Sequence, residues 1–370
     1  MNRRSPSTVN AKSVLGVPFL PPGAVTGVSN RTREMVNRLH ARMAPPPVRI
    51  LEGIFGMLDH RVLVALCAAG VPDALTDKTE PAALANKIGV DPVALERLLR
   101  FAALRGWVRI DRRGRVCPTA VTAFLRRDHP GGWRAWVDFA GGGEIVAAVA
   151  SLTIGAKPTD AFAAANGIPF FEWMSRHPDR WTVFDGAMAA GGRMHALTLD
   201  AALDWSATRR VCDVGGGTGQ LLASLLELQP HLEGTLFDLP DVVDRAVRHE
   251  RLTAIGGDAF REVPNGFDTY LLVNVLHDWN DDDAAKILGG VAQAAPGDAR
   301  VIVVDNERTV TPRNDLALSA DVLMAALTNG GRERSTSEFA ALGRSCGLRL
   351  ARTVRLASGD VAHEFVTSRP

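Results

Sequence analysis

Residues 211–219 read Val-Cys-Asp-Val-Gly-Gly-Gly-Thr-Gly, so that a short, largely apolar stretch runs into a loop built mostly from glycine. The apolar stretch is typical of a buried strand, and a helix is expected directly after the loop, up to Leu228. Because glycine has no Cβ, the backbone at such a junction can approach a ligand that other residues would push away. The stretch therefore predicts the ligand-binding strand, loop and helix of an α/β sheet.

Strands and helices continue to alternate from this loop to the end of the chain. Further strands are predicted at 235–239, 252–255, 269–276 and 301–305, and a hairpin of residues 348–356 and 361–368 closes the segment. Before that hairpin, Ser335 and Glu338 form a capping-box pattern that starts a helix ending at Gly347. This order predicts a doubly wound, Rossmann-like α/β sheet with helices on both faces, assigned to residues 201–370.

The N-terminal half carries a different pattern. Residues 1–45 are rich in Ser, Asn, Arg, Pro and Gly, which predicts a flexible arm. Apolar residues at three- and four-residue spacings from Ile50 to Leu66 predict a helix that faces the core. Two more helices and a short hairpin at 107–118 follow, and this order is typical of a mostly α winged-helix module, assigned to residues 46–150.

Residues 151–200 are expected to be helices that link this module to the sheet and shape a pocket. Two glycine clusters, Gly141–Gly143 and Gly191–Gly192, are expected to break the helices predicted from about residue 119 to residue 200.

Composition limits the classes of function. A formal charge of +1 gives no overall field that would attract nucleic acid or an anionic membrane. The four cysteines form no C-x-x-C pair, which predicts reduced thiols in a cytoplasmic protein and argues against structural zinc. The first residues lack the apolar run of a signal peptide, and no stretch is long and apolar enough to span a bilayer.

The glycine loop favours S-adenosylmethionine as its ligand. A dinucleotide site would place a third glycine at position 220, where this chain has Gln220. The strand also enters the loop through an acid, Asp213, which suits a cofactor with a zwitterionic amino-acid end better than a pyrophosphate. A bare glycine pattern is equally compatible with a turn that binds no ligand.

The next two strands end in further acids. Asp238 in Phe-Asp-Leu-Pro stands where ribose hydroxyls bind in nucleotide-binding α/β folds, although it could instead cap the following helix. Asp258 and Phe260 in Gly-Asp-Ala-Phe offer a carboxylate and a ring edge to adenine, although Asp258 could be an ordinary turn residue. Because the carboxyl ends of parallel strands meet at one edge, the three acids together predict a cofactor site.

The fourth strand runs into Asn-Val-Leu-His-Asp-Trp-Asn at residues 274–280, which brings His277 to the same edge. Methyl transfer from a sulfonium needs alignment of the acceptor and removal of its proton. An imidazole with a pKa near ~6.5 can accept that proton. A structural histidine is the alternative explanation of this residue.

Five motifs, in order and spacing, resemble the caffeic-acid/hydroxyneurosporene type of O-methyltransferase. These are Asp-Val-Gly-Gly-Gly-Thr-Gly, Phe-Asp-Leu-Pro, Gly-Asp-x-Phe, Val-Leu-His-Asp-Trp and Gly-Gly-x-Glu-Arg-Ser. The resemblance extends from about Val48 to Arg369. It implies a class I methyltransferase domain preceded by a winged-helix module that forms an intertwined homodimer, with S-adenosylmethionine as cofactor.

The resemblance also implies roles for individual residues. His277 matches the family's base, and Asp305 and Glu333 match the two acids that flank it. The cofactor contacts would be Asp213, Gly215, Gly217, Asp238, Leu239, Asp258 and Phe260, with Trp279 nearby. The plant members carry a lysine on strand four, whereas this chain has Val273 and Asn274, so the bacterial branch fits better.

The expected acceptor pocket is apolar and rich in thioethers, which suits a flat aromatic substrate. Its members are Phe171, Met174, Phe184, Met188 and Met324. Each of them alone is better explained as helix core. Some relatives have drifted to N-methylation, decarboxylation or hydroxylation, so the fold does not fix the acceptor atom.

Two other functions are compatible with the sequence. Asp278 and Asp305–Asn306 could supply oxygen ligands to Mg²⁺ in a metal-assisted methyltransferase, whereas the resemblance implies metal-free chemistry. Arginines on the second helix of the helix–turn–helix and on the wing could mark a ligand-sensing DNA-binding protein, but the near-neutral charge favours an ordinary solvated face. These arginines are Arg97, Arg100, Arg105, Arg109, Arg112, Arg113 and Arg115.

Overall fold

The computed structural model describes residues 42–155, 160–312 and 315–367, together with residues 32–33, 35–37 and 39–40. Most of the segment predicted as a flexible arm lies outside the described residues. Those of its residues that are described are helical, apart from residues 44 and 45. No helix formed by the described residues is long and apolar enough to cross a bilayer.

The N-terminal module has the predicted order of helices followed by a hairpin. It consists of α1 (Pro46–Ala68), α2 (Val71–Ala74), α3 (Pro81–Ile88), α4 (Pro92–Leu104), β1 (Val108–Ile110), β2 (Val116–Pro118) and α5 (Ala120–Phe124). The N-terminus of α4 is capped by Asp91, whose Oδ1 accepts a 2.7 Å hydrogen bond from the backbone N of Ala94. Strands β1 and β2 pair antiparallel.

The prediction that α1 faces the core is wrong for its first half. Only Val62, Leu66 and Cys67 are buried in this helix. Ile54 and Phe55 are 51% and 54% exposed, and their apolar neighbours at the start of the helix are also exposed. Apolar periodicity shows that a face needs a partner, but it does not show that the partner belongs to the same chain.

The chain between α5 and the sheet is mainly helical, as predicted for residues 119–200, and its last part is the linking segment of residues 151–200. It contains α6 (Arg134–Ala140), α7 (Gly143–Ala150), α8 (Ala161–Asn166), α9 (Phe170–Ser175) and α10 (Pro178–Ala202). The break at Gly141–Gly143 is confirmed, because Gly142 is the N-cap residue of α7.

The break expected at Gly191–Gly192 is wrong, because α10 continues through both residues. A Cβ built on Gly192 would lie 3.1 Å from the backbone N of Leu221 in the next helix. Here glycine permits close contact between two helices. The sequence alone does not distinguish a glycine that allows such contact from a glycine that breaks a helix.

The C-terminal domain is a seven-stranded sheet with strand order β5-β4-β3-β6-β7-β9-β8. Strands β3 to β7 are parallel, and β9 runs antiparallel to both β7 and β8. The elements are β3 (Arg210–Val214), α11 (Gln220–Leu228), β4 (Glu233–Asp238), α12 (Pro240–Val243), β5 (Leu252–Gly256), β6 (Thr269–Val273), a 3₁₀ turn (Leu276–Asp278), α13 (Asp281–Ala294), β7 (Arg300–Asp305), α14 (Asp315–Leu327), α15 (Thr336–Ser345), β8 (Leu348–Arg355) and β9 (Val361–Thr367).

Helices cover both faces of this sheet. On one face, Cys212 and its neighbours pack with α13 and α15. On the other face, Val211 and its neighbours pack with α10 and α11. Because successive side chains of a strand point to opposite faces, both clusters hold the same strands in place and fix the positions at which those strands end.

The glycine pair in α10 provides a test of this packing. A Cβ on Gly191 would have no described atom within 4 Å, whereas one on Gly192 would crowd the backbone of α11. We expect Gly191→Ala to raise the melting temperature, since alanine is favoured over glycine in a helix by about 1 kcal/mol. Gly192→Ala is expected to lower it, as measured by differential scanning fluorimetry. An equal rise in both variants would contradict the close contact.

Candidate active site

The glycine loop after β3 adopts a backbone that requires glycine. Gly215, Gly217 and Gly219 have φ angles of 71°, 60° and 76°. A Cβ on Gly215 would lie 2.9 Å from a methyl carbon of Val275. Among the described residues, nothing lies within 4 Å of a Cβ built on Gly217. The loop is therefore packed on its inner side and open on its outer side.

Asp213 is buried at the base of this loop, with 1% of its surface exposed. Its Oδ2 has no hydrogen-bond partner among the described residues. Burial, with a smaller contribution from the charge of Asp238, raises the pKa of Asp213 to about 7. A buried carboxylate oxygen without a donor is costly, and a cationic group bound beside it would remove that cost.

Asp238 lies at the end of β4, against the same loop. Its Oδ2 accepts a 2.8 Å hydrogen bond from the backbone N of Gly217, and its Oδ1 accepts one of 2.7 Å from the backbone N of Leu239. Burial raises the pKa of Asp238, although these two hydrogen bonds oppose the rise. Each oxygen retains an acceptor site for a ligand hydroxyl.

The third acid and a row of aromatic rings continue this edge. Oδ1 of Asp258 accepts a 2.9 Å hydrogen bond from the backbone N of Phe260. The ring of Phe260 meets Trp279 edge-on with centroids 4.7 Å apart, and Trp279 in turn stacks on Phe171 of α9 at 5.8 Å. Trp279 thus connects the edge with the linking helices.

The sheet edge fits the cofactor expected from the sequence. The buried, unpartnered carboxylate of Asp213 behind the loop favours a cationic amino group by its charge, and the outer side of Gly217 leaves room for a ligand. Asp238 offers the acceptor oxygens that a ribose requires. The structure therefore brings the sequence-predicted cofactor residues together along three successive strand ends.

His277 lies on the 3₁₀ turn after β6 and is buried. Its Nδ1 lies 3.0 Å from Oε1 of Glu333, at hydrogen-bond distance, and 3.8 Å from Oδ1 of Asp305. On the other side of the ring, Nε2 lies 3.7 Å from Oδ1 of Asp278, which is too long for a hydrogen bond. Among the described residues, Nε2 makes no hydrogen bond.

The surrounding acids control the charge of this histidine. Burial by itself lowers the pKa of His277, but the hydrogen bond to Glu333 and the nearby carboxylates outweigh burial and raise it to about 10. Burial raises the pKa of Asp278 to about 6 and holds that of Asp305 well above its ordinary value. Both carboxylate oxygens of Asp305 are buried without a hydrogen-bond partner among the described residues.

The loop that carries Glu333 packs directly against the turn that carries His277. A Cβ on Gly331 would lie 2.6 Å from the carbonyl oxygen of His277. The guanidinium of the buried Arg334 donates hydrogen bonds of 2.7 Å each to the carbonyl oxygens of Leu276 and Trp279. The Gly-Gly-x-Glu-Arg motif therefore positions the histidine as well as supplying its acid.

The sequence did not predict the roles of three residues of this site, which are Arg334, Asp321 and Asn274. Arg334 belongs to the Gly-Gly-x-Glu-Arg motif, which is the signal that could have identified it. Asp321 accepts a 2.7 Å hydrogen bond from the backbone N of Glu333 through Oδ1. Asn274 has a left-handed φ of 53°, which ends β6 three residues before the predicted 276, and its Oδ1 is buried without a partner among the described residues.

The residues expected to contact the acceptor do not share one environment. Phe171, Phe184 and Met188 are partly buried and pack against one apolar cluster. Met324 on α14 is also partly exposed. Met174 has no exposed surface and lies inside the cluster. Because a side chain without accessible surface lines no open cavity, Met174 belongs to the core rather than to the acceptor pocket.

The described residues contain no group of three or more His, Cys, Asp or Glu side chains placed to hold a metal ion.

Comparison with known proteins identifies two family domains. Residues 51–126 match the O-methyltransferase dimerisation domain, and residues 147–349 match the O-methyltransferase domain. The chain is 34% identical to the mitomycin biosynthesis 6-O-methyltransferase of Streptomyces lavendulae over 84% of this chain and 91% of that protein. It is also 34% identical to the aclacinomycin 10-hydroxylase RdmB of Streptomyces purpurascens over 73% of this chain and 75% of that protein.

A solved structure agrees with these relatives. The methyltransferase CalO1 of calicheamicin biosynthesis, in its form with bound S-adenosylhomocysteine, superposes with a TM-score of 0.78 at 31% identity. The superposition covers 87% of this chain and 98% of that one. The chain therefore belongs to the S-adenosylmethionine-dependent O-methyltransferase family.

Proposed function

We propose that this enzyme methylates a hydroxyl oxygen of a small aromatic acceptor and that His277 is the general base. The observation that carries the proposal is the 3.0 Å contact between Nδ1 of His277 and Glu333. A carboxylate at this distance favours the tautomer with its proton on Nδ1, so Nε2 keeps a lone pair for the proton of the acceptor.

The acids and glycines of the sheet edge would hold the cofactor. Asp213 is proposed to bind the ammonium of its amino-acid end, Asp238 the ribose hydroxyls and Asp258 the adenine amino group. Gly215 and Gly217 allow the backbone to approach it. Leu239, Phe260 and Trp279 would complete the contacts to the adenosine part.

When bound, the cofactor supplies a methyl group that its sulfonium already activates. The protein then has to align the acceptor oxygen and remove its proton. In our proposal Nε2 of His277 takes that proton, and Glu333 stabilises the resulting imidazolium. Because a second positive charge nearby disfavours the imidazolium, binding of the cofactor is expected to lower the pKa of His277 toward the range in which a neutral base is available.

The proposed acceptor is a flat aromatic molecule. Phe171, Phe184 and Met188 offer an apolar, partly exposed wall beside the row of rings at Trp279. The partly exposed Met324 is proposed to contact the acceptor as well. The likeness to a mitomycin 6-O-methyltransferase supports an oxygen as the acceptor atom. The likeness to a hydroxylase makes oxygen insertion on the same scaffold the second candidate.

We further propose that the enzyme is a cytoplasmic homodimer without a nucleic-acid partner. The exposed apolar half of α1 lies in the matched dimerisation domain, and a second copy would cover it. All four cysteines are free thiols, which suits a reducing compartment. On the winged-helix face, Arg105 pairs with Asp59 and Arg115 with Asp111, so part of the positive charge is neutralised.

A screen of phenols, quinols and heteroaromatic compounds with cofactor labelled in its methyl group tests the reaction. We expect an aromatic product that carries the labelled methyl, read by mass spectrometry. His277→Ala is expected to lower kcat roughly 10²- to 10⁴-fold with cofactor affinity nearly unchanged. Asp238→Ala is expected to weaken cofactor binding while kcat at saturating cofactor stays close to wild type.

An equal loss of cofactor affinity in His277→Ala would show that His277 has a structural role. A product with added oxygen and no label would favour the hydroxylase reaction. Asp238→Ala with wild-type turnover at limiting cofactor would contradict the assignment to ribose.

The charge of Glu333 is expected to set the pH dependence of kcat/KM. Glu333→Gln removes a negative charge beside Nδ1, which disfavours the imidazolium and lowers the pKa of His277. Since activity requires the neutral imidazole, the rising limb of kcat/KM against pH is expected to move to lower pH by roughly one to three units. Glu227→Gln, on the exposed face of α11, is the control and should leave the limb in place. An unmoved limb in Glu333→Gln would contradict the proposed pairing.

The apolar face of α1 is expected to hold the dimer together. Replacement of both Ile54 and Phe55 by Glu places charges at the proposed interface without disturbing a buried site of the single chain. We expect light scattering to give the chain mass of 39.6 kDa for this variant and twice that mass for the wild type. Val93→Glu, exposed on α4, is the control. A variant that stays dimeric would place the interface elsewhere.

A further inference from the structure

Arg193 of α10 lies beside the glycine loop. Its guanidinium donates a 3.1 Å hydrogen bond to Oε1 of Gln220, which is the first residue of α11 and follows Gly219 directly. The two helices are in close contact here, because a Cβ on the adjacent Gly192 would lie 3.1 Å from the backbone N of Leu221. Arg193 is thus fixed to the first residue of the helix that follows the loop containing Gly215 and Gly217. Its Nη1 lies 3.3 Å from a Cβ built on Gly132, on the side away from Gln220.

This arginine differs from other partly buried arginines of the chain because it lacks a counterion. Arg180 at the start of the same helix pairs with Glu144 at 2.6 Å, and Arg332 pairs with Asp281 at 2.9 Å. Arg193 is half-buried and, among the described residues, makes no ion pair. Burial lowers its pKa, with no carboxylate nearby to offset that effect. A half-buried cation held by one neutral hydrogen bond has capacity for an anion.

The cofactor brings such an anion to this loop. Its amino-acid end carries an ammonium and a carboxylate, and the unpartnered oxygen of Asp213 accounts only for the ammonium. Strand β6 ends in Val273, which offers no charge to the carboxylate. A zwitterion bound at the loop needs an anion and a cation on the protein, and Asp213 and Arg193 supply one of each.

We propose that Arg193 binds the carboxylate of the methionyl group of S-adenosylmethionine. This inference rests on the proposed cofactor site. Gln220 is then a positioning residue: its Nε2 donates a 3.3 Å hydrogen bond to Oγ of Ser224, which turns Oε1 toward Arg193. Gln220, which stands where a dinucleotide loop has its third glycine, thereby acquires a function of its own, since it holds the guanidinium at the start of α11.

Calorimetry with three ligands separates this contact from general loss of the site. S-adenosylhomocysteine carries both charged groups, S-adenosyl-3-thiopropylamine lacks the carboxylate, and 5′-methylthioadenosine lacks the whole amino-acid end. Wild type is expected to bind S-adenosylhomocysteine roughly 10- to 100-fold more tightly than the propylamine. Arg193→Met is expected to lose this preference while its affinities for the other two ligands change less than about twofold.

Two further variants complete the test. Arg193→Lys keeps the charge and is expected to recover part of the preference. Arg349→Met, on the distant edge strand β8, is the control and should bind all three ligands as wild type does. The measured quantity is the coupling free energy between the substitution at Arg193 and the removal of the ligand carboxylate. This coupling does not depend on a loss of affinity that is common to all ligands.

Three results would overturn the inference. The first is a wild type that binds S-adenosylhomocysteine and the propylamine equally well. This result would count against the inference even if the Arg193 variants fail to fold. The second is an Arg193→Met variant that keeps the full preference. The third is an equal loss for all three ligands, which would show that Arg193 only shapes the loop. A wild type that binds none of the three would contradict the proposed cofactor site itself.

Discussion

The active site depends on the contact between the loop that carries Glu333 and the 3₁₀ turn that carries His277. Arg334 binds two carbonyl oxygens of that turn, and Gly331 allows the backbones to meet. A polar turn can be buried at the end of a parallel strand only if its carbonyls find donors, and a buried guanidinium provides several from one side chain. Because the same loop supplies Glu333, the fold of the turn and the orientation of the imidazole have one cause.

The parallel strands end at one edge of the sheet and bring several acids close together there. Asp213 and Asp305 are buried and Asp238 is partly buried, and burial raises the pKa of each. Asp238 accepts two backbone hydrogen bonds, whereas Oδ2 of Asp213 and both oxygens of Asp305 have no hydrogen-bond partner among the described residues. Asp213 and Asp305 therefore cost stability at neutral pH as long as no cation lies beside them. His277 relieves the cost for the acids around it, whereas Oδ2 of Asp213 has no such partner in the part of the chain that the structure describes. A cationic ligand gains affinity from this cost, since binding removes it.

The sequence predicted what depends on local pattern and on strand order. Apolar strands, caps and the glycine loop placed the acids and His277 at one edge, because parallel strands end together. Prediction from the sequence failed where a residue type has two possible structural roles. Gly192 resembles a helix breaker but permits helix contact, and the apolar start of α1 resembles a core helix but faces outward. The sequence also placed Met174 in the acceptor pocket. Its burial depends on packing among helices that are distant in sequence, so the local pattern could not show that it belongs to the core.

Helix α10 carries residues of both halves of the proposed reaction. Phe184, Met188 and Gly192 follow one another at four-residue spacing, so they lie along one face of a continuous helix. The first two contribute to the proposed acceptor wall, and the third packs against the helix after the glycine loop. A break at the glycine pair would let these parts move independently. Their rigid connection is the means by which the protein can hold an acceptor oxygen in line with a methyl donor.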